Sequence, residues 1–164
     1  MAKFRDDMKT IAVTWDQVHR DTRALVRRLL PMGPWRGIVA LTRGGLVPAA
    51  IVAREMGIRV IDTLCVTAYD EQVLEKIEVL KTPERALPEG GRGWLLIDDL
   101  VDTGATARAA RRVLPHAHFA TLYAKPEGRP MVDTFIVEVD QNVWIFFPWD
   151  TEPQYVAPMH NHDK

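Results

Sequence analysis

The sequence predicts an α/β domain with a central, mainly parallel sheet flanked by helices on both faces. Three observations predict it. Short apolar runs such as Gly37–Leu41 and Trp94–Ile97 are bounded by turn residues, the pattern of strands buried on both faces. Segments with helical spacing alternate with these runs, which favours a parallel sheet. The chain of 164 residues, 47% apolar and 26% charged, has the length and composition of a single soluble domain spanning residues 1–164. At that size folding buries about 70% of the extended chain's surface.

The elements follow in order. After a polar leader of about ten residues, Thr14-Trp15-Asp16-Gln17 has capping-box spacing, so a helix starts there and runs to about Leu30. Trp15, Val18, Thr22, Leu25 and Leu29 fall on one side of it as a packing face, and Pro31 and Gly33 end it. Gly37–Leu41 is the first core strand. Leu46–Met56 suits a helix, with Pro48 tolerated in the first turn and Gly57 as terminator. Ile58–Thr67 is β-branched enough for a second strand. The charged segment from Tyr69 to Pro88 shows no clean strand pattern and reads as an excursion. Trp94–Ile97 is a third strand, Ala105–Leu114 a helix and Phe119–Tyr123 a fourth strand. From Asp133 onward the pattern gives one strand and then a loop rich in aromatics and proline. Trp15, Trp35, Trp94 and Trp149 read as core.

Charge and cysteine content narrow the function. Lys and Arg total 21 against 22 Asp and Glu, a formal charge of −1, so no global field draws in nucleic acid or acidic lipid. Any anion site must be local. The single cysteine, Cys65, makes no intrachain disulfide and fits a reducing, cytoplasmic setting. No run approaches the roughly 20 apolar residues that span a bilayer, and the start of the chain lacks a signal-peptide core. An integral membrane segment is not expected.

The chemistry is concentrated in Leu95-Leu96-Ile97-Asp98-Asp99-Leu100-Val101-Asp102-Thr103-Gly104-Ala105-Thr106. The apolar positions deliver adjacent carboxylates to the carboxyl end of a buried strand, where open α/β sheets place their ligands. Thr103-Gly104-Ala105-Thr106 then combines hydroxyls with a small flexible turn at a helix start, where open N–H groups and the helix dipole suit a phosphate. Acids beside a phosphate nest repel the ligand unless they bind its sugar hydroxyls or a divalent cation. The constellation therefore implies a phosphorylated sugar with magnesium (Mg2+). Neither Gly-x4-Gly-Lys-Ser/Thr nor Gly-x-Gly-x-x-Gly occurs. A receiver domain would place its acids near the first strand rather than at residue 98.

These residues resemble the signature of the type I phosphoribosyltransferases: an apolar strand, two acids and a Thr-Gly-x-Thr phosphate loop. The resemblance, closest to the purine enzymes, also takes in Val13–Asp16, Thr42–Pro48, Ala124–Pro126, Trp144-Ile145 and Pro148–Asp150, nearly the whole chain. It implies the type I phosphoribosyltransferase fold, with a flexible hood loop at about 69–80 and a small base-binding region at about 125–150. It implies transfer of the 5-phosphoribosyl group from 5-phosphoribosyl 1-pyrophosphate (PRPP) to N9 of a 6-oxopurine, xanthine and guanine ahead of hypoxanthine, in purine salvage.

The resemblance implies residue roles as well. Arg43, Gly44 and Gly45 form the pyrophosphate loop, where a fork of donors and close backbone approach are needed and a non-proline cis peptide is no surprise. Asp98 and Asp99 hold the ribose hydroxyls, with Asp99 nearest the magnesium; Leu100, Val101, Asp102, Thr103, Gly104, Ala105 and Thr106 complete the PRPP loop. Asp102 faces the imidazole edge of the purine as general base. Lys125, which has donors only, welcomes a 6-oxo group and penalises adenine. Trp144 stacks on the purine and Ile145 offers its backbone to the 2-position.

The chain departs from the family pattern twice. Glu75-Lys76 stands in the hood where an arginine is expected, so either Lys76 takes the pyrophosphate contact or the closed state is weaker. Phe146 stands where an acid is expected, which leaves the ranking of the three oxopurines open. His116 with His118, and His160 with His162, lack supporting ligands and do not read as metal sites. The rival reading is a PRPP-sensing regulator of the same fold that binds nucleic acid; the chain shows no basic face for it. The resemblance further implies a homo-oligomer, a homotetramer built from dimers, and allows peripheral association with the inner membrane.

Overall fold

The computed structural model describes residues 9–71 and 74–150, and for residues 67–71 and 74–77 the backbone alone. Strand β1 (Lys9–Ala12) leads into helix α1 (Trp15–Leu29), β2 (Gly37–Thr42), α2 (Leu46–Met56), β3 (Ile61–Glu71), β4 (Leu74–Lys81), β5 (Trp94–Val101), α3 (Ala105–Val113), β6 (His118–Ala124), β7 (Val137–Glu138) and β8 (Val143–Phe146). The main sheet has the order β4-β3-β2-β5-β6-β7. All its pairs are parallel except β3 with β4.

Helices cover both faces, as the alternation predicts. Val18, Leu25 and Leu29 of α1 and Ala49 and Val52 of α2 pack on Ile38, Ala40, Leu95, Ile97, Ala120 and Leu122. The opposite sheet face, through Val39, Leu41, Leu96 and Phe119, packs on Ala107 and Ala110 of α3. The capping box forms as spaced: Gln17 N donates to Thr14 Oγ1 at 3.2 Å and Thr14 N to Gln17 Oε1 at 2.8 Å. Gly57 ends α2 with φ +67°, the left-handed conformation that glycine adopts freely.

Four expectations need correction. Trp15 is 55% exposed, because the buried face of α1 begins only at Val18. The supposed polar leader contains β1, which pairs in parallel with β8, Thr10 opposite Trp144 and Ile11 opposite Ile145. The segment after residue 58 starts as a strand only at Ile61 and continues to Glu71, where β4 returns antiparallel; the hood region is thus largely a β-hairpin. An edge strand tolerates Glu and Lys, which hid β4 from a composition-based reading. The single strand expected after Asp133 is two, β7 on the main sheet and β8 in the separate pair with β1. Residues 151–164, with His160 and His162, lie outside the described residues.

Candidate active site

From β2 the chain moves to β3 on one side, and from β5 to β6 on the other, so the carboxyl ends of β2 and β5 flank a topological switch point. Open α/β sheets bind ligands in the crevice that forms there. The loop after β2 contains a cis Thr42–Arg43 peptide. Gly45 N donates to Leu41 O at 2.8 Å, folding the loop back over the strand end. A Cβ on Gly44 would strike the Asp99 carboxylate, and one on Gly45 the carbonyl of Ile97. The loop's glycines are therefore its points of contact with the acidic strand. Arg43 is exposed beside them.

Strand β5 runs on to Val101, so Asp98 and Asp99 belong to the strand itself rather than to a loop after it. Successive strand residues leave opposite faces, and Asp99 is the one directed at Gly44. Both are partly open to the crevice yet deep enough that burial dominates their ionisation. Burial, with the Asp99 charge added, pushes Asp98 well above the usual carboxylate range. Burial also lifts Asp99 to about 6, with Asp150 contributing repulsion. Asp99 N donates to Asp98 Oδ1 at 3.0 Å. Two acids that resist ionisation together favour hydroxyl donors or a cation. Among the described residues no three His, Cys, Asp or Glu side chains gather around a possible metal. A magnesium ion fits the donor set nonetheless, since it commonly takes one or two carboxylates and completes its shell with substrate oxygens and water.

The turn from Asp102 to α3 is shaped for an anion. Gly104 has φ +81° and precedes the first helical residue, and no side chain caps the helix start. Its first N–H groups are left without side-chain acceptors. Gly104 and Ala105 are buried, Thr103 and Thr106 partly exposed; Leu100 is partly buried and Val101 buried in the core.

At the other end of this turn lies a polar cluster. Lys125, just after β6, is 1% exposed, and its Nζ lies 3.1 Å from Asp102 Oδ1. Lys125 N donates to Val101 O at 2.9 Å, extending the strand pairing into the turn. Gly128 packs so closely that a Cβ there would meet Asp102 O at 2.5 Å. Gln141 Nε2 donates to the same Asp102 Oδ1 at 3.0 Å. Sequence reasoning passes over Gln141, because an isolated glutamine in a polar loop carries no spacing signal. Trp144 and Ile145 follow it on β8: Ile145 points into the core, and Trp144 is partly exposed with its ring 6.4 Å from that of Phe146.

The structure thus brings Arg43–Gly45, Asp98, Asp99, Asp102–Thr106 and Lys125 to one end of the sheet. Trp144 and Ile145 sit on the separate two-stranded sheet, tied to the cluster by the segment that carries Gln141. The side chain of Lys76 lies outside the described residues.

Known proteins resemble this chain along nearly its whole length. Residues 14–156 match the family described as "Phosphoribosyl transferase domain". A xanthine-guanine phosphoribosyltransferase of Nitratidesulfovibrio vulgaris (strain DP4) is 57% identical over 157 residues, covering 95% of this chain and 94% of that protein. One from Desulfotalea psychrophila is 54% identical over 157 residues, covering 95% and 96%. Among solved structures, a purine phosphoribosyltransferase from Pyrococcus horikoshii superposes with a TM-score of 0.78 at 27% identity, covering 92% of this chain and 99% of that one.

Proposed function

This chain belongs to the phosphoribosyl transferase family, and from that premise we propose that it is a xanthine-guanine phosphoribosyltransferase of purine salvage. It transfers the phosphoribosyl group of PRPP to N9 of a 6-oxopurine, giving the nucleoside monophosphate and pyrophosphate. The observation that supports this most is the meeting of Asp102 and Lys125 at 3.1 Å beside the acidic strand. One carboxylate and one ammonium there match the imidazole edge and the 6-oxo group of one purine.

In the proposed reaction Arg43 and the backbone N–H groups of Gly44 and Gly45 receive the pyrophosphate, and Lys76 reaches it from the hairpin. Asp98 and Asp99 hold the ribose hydroxyls, and the start of α3 from Thr103 to Thr106 takes the 5'-phosphate. Asp99 would hold a magnesium ion, which would supply positive charge toward the leaving pyrophosphate. The bond from C1 of the ribose to pyrophosphate breaks as N9 attacks, and Asp102 accepts the proton from N7. No covalent enzyme intermediate is needed. Lys125 donates to the 6-oxo oxygen, and a 6-amino group in its place would set donor against donor. Trp144 stacks on the base, and the backbone of Ile145 meets the 2-substituent. The hairpin of residues 69–80 serves as the hood that excludes water.

The protein acts as a homotetramer assembled from dimers. No helix among the described residues is long and apolar enough to cross a membrane. The regulator reading gains nothing from the relatives, which are named as transferases. Steady-state pyrophosphate release with PRPP, magnesium and guanine, xanthine or hypoxanthine tests the proposal. Turnover with guanine and xanthine is expected, and none with adenine; no release above an Asp102→Asn control refutes it. Light scattering checks the assembly, and a monomer at working concentration would contradict it.

A further inference from the structure

We propose that Gln141 is a positioning residue of the transfer reaction, holding the Asp102 carboxylate so that one oxygen stays directed at the purine. The inference rests on the transferase reading given above. Asp102 Oδ1 lies 3.1 Å from Lys125 Nζ in an ion pair and accepts a hydrogen bond from Gln141 Nε2 at 3.0 Å. Among the described residues no hydrogen bond goes to Oδ2. The orientation of the Gln141 amide is fixed by its other end, since Glu127 N donates to Gln141 Oε1 at 3.1 Å. A flipped amide would set oxygen against a carboxylate and N–H against N–H, losing both bonds.

The location of Gln141 gives this bond its purpose. It joins three segments with its two hydrogen bonds: the end of β5 at Asp102, the turn after β6 at Glu127, and the approach to β8 and Trp144. When an oxopurine enters, Lys125 turns its ammonium to the 6-oxo oxygen and its hold on Asp102 weakens. Gln141 has no role toward the base and keeps its hold. Oδ1 therefore stays anchored at the moment Oδ2 must take the N7 proton. A general base free to swing would lose most of the advantage of fixed orientation, and small misplacement of a reacting group costs up to about a hundredfold.

Three variants test this: Gln141→Leu, which has similar length and no polar atoms; Gln141→Glu, which keeps an acceptor for Glu127 N–H but loses the donor; and Gln141→Leu combined with Asp102→Asn. The two single variants are expected to lower kcat for guanine roughly ten- to a hundredfold with KM for PRPP unchanged. In the Asp102→Asn background the Gln141→Leu change is expected to cause no further loss, since it acts through the carboxylate already removed. A structural role alone would cost the same in both backgrounds. Wild-type kcat in Gln141→Glu, or an equal loss in both backgrounds, overturns the proposal. A parent protein that releases no pyrophosphate with any of the three oxopurines overturns the transferase reading instead, and the inference with it.

Discussion

Lys125 and Asp102 form an ion pair of unequal burial: the lysine side chain is 2% exposed and the aspartate 25%. The two halves of the pair should therefore respond differently to removal. Asp102→Asn leaves a nearly inaccessible ammonium without its counter-charge, which should cost roughly 2 kcal/mol or more. Lys125→Met replaces that ammonium by an apolar chain of similar volume and leaves the carboxylate within reach of water, so the folded state should lose little. Thermal melts of the two variants check the asymmetry, and a larger loss for Lys125→Met would contradict it. Both should lose transferase activity, Asp102→Asn by about 100-fold or more in kcat.

Gly44 and Gly45 are adjacent but face different obstacles, and alanine should separate their roles. A Cβ at Gly44 meets the carboxylate of Asp99, a side chain that can turn aside; one at Gly45 meets the backbone of Ile97 and Leu41, which cannot. Gly44→Ala should leave the melting temperature nearly unchanged while disturbing Asp99 and raising KM for PRPP. Gly45→Ala should cost about 1–3 kcal/mol by pushing two core strands apart. Melting curves with PRPP titrations distinguish them, and equal melting points for both would refute the contrast.

What could be read from the sequence was what neighbouring residues decide between themselves. The α1 start is a four-residue bargain between Thr14 and Gln17, and both of its bonds form. The apolar run before Asp98 needed only its own composition to be a buried strand, and Gly57 to end a helix. The parts that escaped are made by distant partners. All four residues of β1 are exposed, so no burial pattern marks it, and it exists because β8 offers an edge more than 130 residues later. Strand β4 is charged and β3 is its partner, so pairing rather than propensity makes it. Gln141 enters the site only because β5, β6 and β8 converge.

A second long-range polar contact fastens α1 to the sheet. Tyr123 on β6 donates its hydroxyl to Asp21 Oδ2 at 2.9 Å, and Asp21 is 5% exposed. Burial and the neighbouring carboxylate push the phenol well above its ordinary value, so it remains a donor throughout the physiological range. Tyr123→Phe removes that donor and leaves a buried carboxylate oxygen unsatisfied, for an expected loss of roughly 1–3 kcal/mol. Adding Asp21→Leu removes the orphaned group and should recover part of the loss. Denaturant melts of the single and double variants decide this, and a double variant less stable than Tyr123→Phe would refute it.

His118 gives the fold a pH dependence far from the proposed chemistry. Its ring lies 5.4 Å from that of Trp35, with Nε2 at 2.8 Å from Thr134 Oγ1. Burial lowers its pKa, the Asp133 charge pulls upward against it, and the Arg111 guanidinium pushes it down further. In the unfolded chain the ring titrates near 6.5, so between that value and the lower folded one the unfolded state binds more protons. Stability is therefore complete above about pH 6.5, declines as pH falls below it, and levels off beneath the folded pKa. His118→Gln can hydrogen-bond Thr134 but does not titrate. The parent should lose more stability than this variant on going from about pH 7.5 to about pH 5.5. Identical losses in the two proteins, measured by denaturant melts at both values, would show that His118 is not the group responsible.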